Sequence, residues 1–237
     1  MRSETILQQL SEDRERHHGA VVPPIYQNSL FTFESVEAID HAFSNIHESY
    51  IYARGKNPTV VSVEEKLAAL EGGEKAKLFT SGMAAISAAL MHGLCSGDHV
   101  ICIDSAYGPT QRFIQTYLAS KFKVEFSFVE GSVASIEGAI RGNTKVIFLE
   151  SPSSGIFSVQ DLGAVAAFAK PKGIVTMIDN TWATPLYQNP LSFGIDVVIH
   201  SVSKYISGHS DVVAGVVIGK REWIESLYEQ EFLLIGG

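Results

Sequence analysis

Cysteine is nearly missing from this chain. Cys95 and Cys102 are the only two among 237 residues, and they form no Cys-x-x-Cys pair. That excludes a disulfide framework and points to two buried, reduced thiols in a cytoplasmic protein. Long apolar runs are also lacking, with none near the ~18 residues of a membrane span. The opening Met-Arg-Ser-Glu-Thr-Ile-Leu-Gln-Gln-Leu-Ser-Glu-Asp-Arg14 has no uninterrupted apolar core, so no secretory leader is expected. Basic residues are outnumbered, 18 against 26 acidic, for a formal charge of −8. Such a surface argues against nucleic acid or an anionic membrane as partner, while leaving room for a local pocket that takes a small anion. No Gly-x-Gly-x-x-Gly follows an early strand and no Gly-Lys-Ser/Thr loop occurs, which speaks against a nucleotide-binding domain. None of His17, His18, His41, His47, His200 and His209 falls in a ligand spacing, so no metal is expected. With 46% apolar and 19% charged residues, the chain is globular rather than disordered.

What is present falls into two parts. Residues 1–60 read as an N-terminal arm and inter-subunit segment: a short polar helix over 4–17, then an extended stretch from Gly19 to Phe33 containing Pro23 and Pro24. A helix follows behind Ser35 with Val36, Ile39, Ala42 and Phe43 at helical spacing, then a loop over 50–59. Thr59 is expected to cap the next helix, which carries Val63, Leu67 and Leu70. Residues 61–237 read as one large domain. From residue 75, near-continuous apolar strands (Ala76–Phe79, His99–Ile103, Val124–Phe128, Val146–Leu149, Ile174–Ile178, Val197–His200, Val213–Ile218) alternate with helices near 83–94, 110–120, 133–140, 159–169 and 222–230. The expected fold is α/β, a mostly parallel sheet covered by helices on both faces. The apolar end, Glu231-Phe-Leu-Leu-Ile-Gly-Gly237, reads as a chain interrupted before its next element.

In such a sheet, ligands bind where strands end and helices begin. Three strand ends carry chemistry. After Lys77-Leu-Phe79, the turn Thr80-Ser-Gly82-Met83 opens a helix whose free amides suit either an ordinary cap or a phosphate. The strand Ile174-Val-Thr-Met-Ile-Asp179 ends in a carboxylate, which needs either local amides and Thr181 or a cation against it. The strand Val197-Val-Ile-His-Ser201 runs into Val-Ser203-Lys204, a lysine with hydroxyls at i−3 and i−1. An apolar setting there would ease loss of its proton, as Schiff-base chemistry requires. An aldehyde-bearing, phosphorylated pyridine needs this set: an amine, a carboxylate at the ring nitrogen and a phosphate cup.

The sequence resembles the cystathionine β-lyase / γ-synthase family of sulfur-amino-acid enzymes, in the fold-type-I pyridoxal-phosphate class. Matching stretches are Tyr52-Ala-Arg54 with Asn57-Pro-Thr59, Leu70-Glu-Gly-Gly73, Ser81-Gly-Met-Ala-Ala85 and Ala106-Tyr107-Gly108. Glu150-Ser-Pro152, Asp179-Asn-Thr181, Ser201-Val-Ser-Lys-Tyr205 and Gly208-His-Ser-Asp211 follow in the family's order. The resemblance implies an aspartate-aminotransferase-like large domain binding pyridoxal 5'-phosphate. Lys204 would hold the cofactor as a Schiff base and shuttle protons. Asp179 would pair with the pyridine nitrogen, and Tyr107 would stack on the ring. Gly82 and Met83 amides with Ser201 and Ser203 hydroxyls would bind the phosphate. Tyr52 and Arg54 would reach the phosphate of a neighbouring subunit, in a dimer of dimers with shared active sites acting on a small amino-acid substrate.

Two departures from the family pattern matter. Ser154 stands where many members have an asparagine near the ring hydroxyl, and Trp182 follows Asp179-Asn-Thr181 where γ-acting members often have phenylalanine. Bacterial cystathionine β-lyases share both features, so β-elimination of cystathionine to homocysteine, pyruvate and ammonia is the expected reaction. Cystathionine γ-synthase, cystathionine γ-lyase and methionine γ-lyase use the same scaffold and remain open, as does a cofactor-binding chain without turnover. The second departure is the family's small C-terminal domain, with its carboxylate-binding arginine, to which no residue of this sequence is assigned.

Overall fold

A computed structural model describes residues 1–236. Seven strands, β1 (Lys75–Phe79), β2 (His99–Ile103), β3 (Glu125–Val129), β4 (Thr144–Glu150), β5 (Val175–Asp179), β6 (Val197–Ser201) and β7 (Gly215–Gly219), form one sheet. Their order is β1-β7-β6-β5-β4-β2-β3. β2 to β6 pair in parallel along this order, and β7 runs antiparallel to both β1 and β6. The sheet is therefore mostly parallel, as expected, with one reversed strand. The reversal has a local cause: residues 202–214 form only turns and coil, with no crossover helix to carry the chain back for a parallel return.

All seven strands fall within two residues of their expected positions. Continuous burial explains why: Ile101, Ile103, Ile147, Phe148, Leu149, Met177, Ile178 and Ile199 are fully enclosed. Helices α1 (Ser3–Gln9), α2 (Val36–Ser44), α3 (Pro58–Glu71) and α4 (Gly82–Gly93) precede the helical run 108–122. Later come the helices Val133–Gly138 and Leu162–Ala169 and the run 221–235. α3 packs on β1, α4 on β6 and β7, and Leu162–Ala169 on β5.

The expected helix over 4–17 is shorter, ending at Gln9, with a separate turn of helix at Glu15–His17. Ser35 caps α2 as expected, its hydroxyl accepting from the Ala38 N–H at 3.2 Å. The cap of α3 is Asn57 instead of Thr59: Asn57 Oδ1 accepts from the Thr59 N–H (2.9 Å) and Pro58 takes the first helical position. Thr59 instead accepts from the Tyr26 N–H at 2.9 Å, and Ala53 N–H donates to Ser29 O at 2.9 Å. The arm is thus tied to the loop over 50–57. Among the described residues no helix is long and apolar enough to cross a membrane.

Candidate active site

Six of the seven strands point their C-terminal ends to one edge, and every candidate residue except Tyr52 and Arg54 gathers there. At the end of β1, Ser81 caps α4 by accepting from the Ala84 N–H at 3.0 Å. The Gly82 and Met83 amides, in the first turn of α4, have no helical acceptor. This turn lies hard against the neighbouring strands. A Cβ on Gly82 would meet Ser201 Oγ at 2.9 Å, and one on Gly215 would meet the Ser81 carbonyl oxygen at 2.3 Å. Only glycine at both positions lets the helix N-terminus approach β6 and β7 this closely.

Ser201 closes the cup, with a hydroxyl that makes no hydrogen bond among the described residues. Ser203 differs: its hydroxyl donates to Ala214 O (3.2 Å) and accepts from the Ala214 N–H (2.9 Å), closing the turn after β6. Asp179 is buried at the end of β5. Its Oδ1 accepts from both the N–H (3.0 Å) and the hydroxyl of Thr181, and Thr181 Oγ1 accepts from the Ser201 N–H at 2.8 Å. Thr181 thus joins the carboxylate to the end of β6, leaving Asp179 Oδ2 uncommitted among the described residues.

A cavity of about 270 Å³ opens at this edge, walled by Tyr107, Glu150, Ser154, Asp179, Trp182 and Lys204, with Phe157 and Tyr205 at its rim. Lys204 Nζ lies 5.0 Å from the centroid of the Tyr107 ring. The lysine is exposed rather than enclosed by apolar groups, because the turn after β6 carries it out of the sheet to the cavity mouth. Tyr52 and Arg54 are exposed on their loop and do not line this cavity. Arg54 Nη1 donates to Leu233 O at 3.1 Å.

Glu150 holds a place to which the sequence reading gave no role. Its Oε2 accepts from the Tyr107 N–H (2.6 Å) and its Oε1 from the Ser154 hydroxyl (2.5 Å), so one carboxylate sets two walls of the cavity. Burial and, next, the Asp179 carboxylate hold its pKa above the ordinary carboxylate range. The signal was in the sequence, since Glu150 ends an apolar strand as Asp179 does. Behind the strand ends, Glu71 Oε1 accepts from His200 Nε2 and from Asn180 Nδ2 (2.9 Å), a cluster enclosed from solvent.

The donors fit pyridoxal phosphate. Two free amides and a free hydroxyl meet at a helix N-terminus, a carboxylate oxygen is uncommitted, and an amine stands over an aromatic ring. Among the described residues no group of three or more His, Cys, Asp or Glu is placed to hold a metal ion.

Comparison with known proteins agrees with this reading. The profile of the family described as Cys/Met metabolism PLP-dependent enzyme matches residues 4–236. An L-methionine gamma-lyase of Porphyromonas gingivalis is 41% identical over 90% of this chain and 54% of its own length. A cystathionine gamma-lyase of Bacillus subtilis is 42% identical over 84% of this chain and 50% of its own. The cystathionine beta-lyase MetC of Staphylococcus haemolyticus is 40% identical over 92% and 54%. The crystal structure of metB from Corynebacterium glutamicum superposes with a TM-score of 0.88 at 33% identity, covering 97% of this chain and 58% of that one. A metY structure from Campylobacter jejuni, which contains N'-pyridoxyl-lysine-5'-monophosphate, covers 95% of this chain with a TM-score of 0.88 at 32% identity. The chain spans about half the length of the curated relatives it matches.

Proposed function

Because the chain belongs to the Cys/Met metabolism family of pyridoxal-phosphate-dependent enzymes, we propose that it is a carbon–sulfur lyase acting on a sulfur-containing amino acid, with β-elimination of cystathionine as its reaction. The observation that carries the reading is the convergence at one sheet edge of Lys204 over Tyr107, the Asp179 carboxylate and the open N-terminus of α4.

When bound, pyridoxal phosphate supplies an electron sink for the carbon that loses its proton. The residues hold it as follows. Gly82 and Met83 amides and the Ser201 hydroxyl would donate to the phosphate, aided by the partial positive charge of the helix end. Ser203 joins them only by giving up its bond to Ala214 O. Asp179 Oδ2 would accept from the ring nitrogen, with Thr181 keeping that carboxylate in place. Tyr107, its backbone fixed by Glu150, would lie against the ring. Lys204 would hold the cofactor and, once freed by the substrate amine, would be placed to take the α-proton and to return a proton to the departing thiol. Arg54 and Tyr52 would serve the phosphate of a neighbouring copy, as the family resemblance implies, and their place outside the cavity of their own chain agrees with that.

Ser154 and Trp182 at the cavity wall favour β-elimination. The methionine and cystathionine gamma-lyases among the relatives favour a second reading, γ-elimination on the same residues. Cystathionine supplied to the cofactor-loaded protein separates the two. Pyruvate with homocysteine is the expected product pair, whereas 2-oxobutyrate with cysteine establishes γ-elimination. Bound cofactor with neither keto acid, from cystathionine or from methionine, overturns both.

A further inference from the structure

A buried lysine outside the site holds the loop that carries Tyr52 and Arg54. Lys77 lies in β1 and is only 5% exposed. Its Nζ is 3.0 Å from Glu64 Oε1, donates to Gly55 O at 3.0 Å, and lies 4.3 Å and 5.0 Å from the ring centroids of Phe232 and Tyr228. Glu64, from α3, also accepts from the Leu78 N–H at 2.9 Å. Enclosing such a pair carries a desolvation cost that a well-packed apolar side chain would avoid. The charge does something an apolar residue cannot: it reaches the backbone of the 50–57 loop.

The point it reaches is the carbonyl one residue after Arg54. Gly55 is packed so tightly there that a Cβ would meet Tyr228 Oη at 2.9 Å and Leu233 Cδ2 at 3.2 Å. Arg54 itself is tied to Leu233 O and lies with its Cζ 5.7 Å from the centroid of the Tyr52 ring. The back of the loop is therefore pinned to β1, α3 and the run 221–235, while the Tyr52 and Arg54 side chains remain exposed.

We propose that Lys77, with Glu64, is a positioning residue that presents Arg54 in a fixed orientation to the cofactor phosphate of a second copy of this chain. This rests on the reading that Arg54 serves a neighbour's phosphate. A guanidinium held in place before docking loses little freedom on binding, which is where the gain in affinity arises.

The test compares two ligands, pyridoxal phosphate and pyridoxal, by the absorbance of the lysine-linked form. Both can react with Lys204, and only the first has a phosphate. Arg54→Ala is expected to weaken pyridoxal phosphate roughly ten- to hundredfold, the worth of a charge-assisted hydrogen bond, and to leave pyridoxal unchanged. Lys77→Met is expected to give the same selective loss. The double variant Lys77→Met/Glu64→Gln removes the orphaned charge and serves where the single variant does not fold. Equal weakening of both ligands in the Lys77 variants, or no weakening, overturns the positioning role while Arg54 keeps its own. An Arg54→Ala protein that binds pyridoxal phosphate normally overturns the reading of Arg54 and the positioning role with it.

Discussion

Glu150 and Asp179 end adjacent parallel strands, paired through the register Glu150↔Asp179. Two buried carboxylates side by side on one cavity wall must divide their roles. Burial and Asp179 raise the pKa of Glu150 above its ordinary value of 4.5. The folded chain therefore binds this proton at a pH where the unfolded chain has released it. The resulting stability is complete below the ordinary value and is lost as pH rises through the raised one. Glu150→Gln, in cofactor-free protein, should remove that slope. Between pH 4 and 8, urea midpoints of the parent should fall relative to those of the variant. Parallel curves would show that Glu150 is not held in this way. Lys204→Ala is the companion test of the amine. It should abolish the yellow, borohydride-reducible adduct and leave the unfolding midpoint within about 0.5 kcal/mol, because the side chain is exposed. An unchanged adduct on another lysine sinks the assignment.

At the scale of elements, the site depends on how α3, β5 and β6 are fastened behind it. Glu71, the last residue of α3, receives Asn180 from the end of β5 and His200 from the end of β6, both side chains fully enclosed. Asn180 is anchored further by Gln188, whose Nε2 donates to Asn180 Oδ1 at 2.8 Å. Removing the carboxylate leaves a buried imidazole and amide without their acceptor, so Glu71→Leu should cost about 1–3 kcal/mol for each group left unpaired. His200→Leu in the same background should recover part of it, a coupling that a double-mutant cycle in urea measures. Additive losses would mean that the pair is not a unit. None of this was legible in the sequence, because the partners lie more than a hundred residues apart and each alone reads as an ordinary polar residue. The Lys77–Glu64 pair is close in sequence, yet each residue alone reads as a solvated charge, and only the packing of α3 on β1 brings the two together. The strands and the chemistry at their ends were legible because both are local signals: an apolar run, then Asp179, Ser201 or Gly82 at its end. The direction of β7 was available too, in the lack of a helical stretch between Lys204 and Val213. The cap of α3 was misplaced because Asn57 and Thr59 both suit a cap, and the arm decides between them through Tyr26.

The whole molecule exposes more surface than its mass requires. Its accessible area is 12497 Å² at 25.8 kDa, where a compact monomer of that mass exposes about 10,500 Å². Part of the excess is apolar and lies on the arm and α2: Ile25 is 81% exposed, Val21 74% and Phe43 62%. Side chains of that kind, on a segment stitched to the Tyr52–Arg54 loop, suit contact with a second copy, and a standard interface needs only ~800 Å² from each partner. Sedimentation equilibrium should show self-association that follows mass action over the micromolar range. Ile25→Asp/Phe43→Asp should weaken it at least tenfold, since each change places a charge in the contact. Folding should be nearly unaffected, because neither residue is in the core. Pyridoxal phosphate affinity should fall in the same variant at concentrations where the parent is associated, and pyridoxal affinity should not. A parent that stays monomeric throughout, or a variant that associates as the parent does, rules out the arm as the contact.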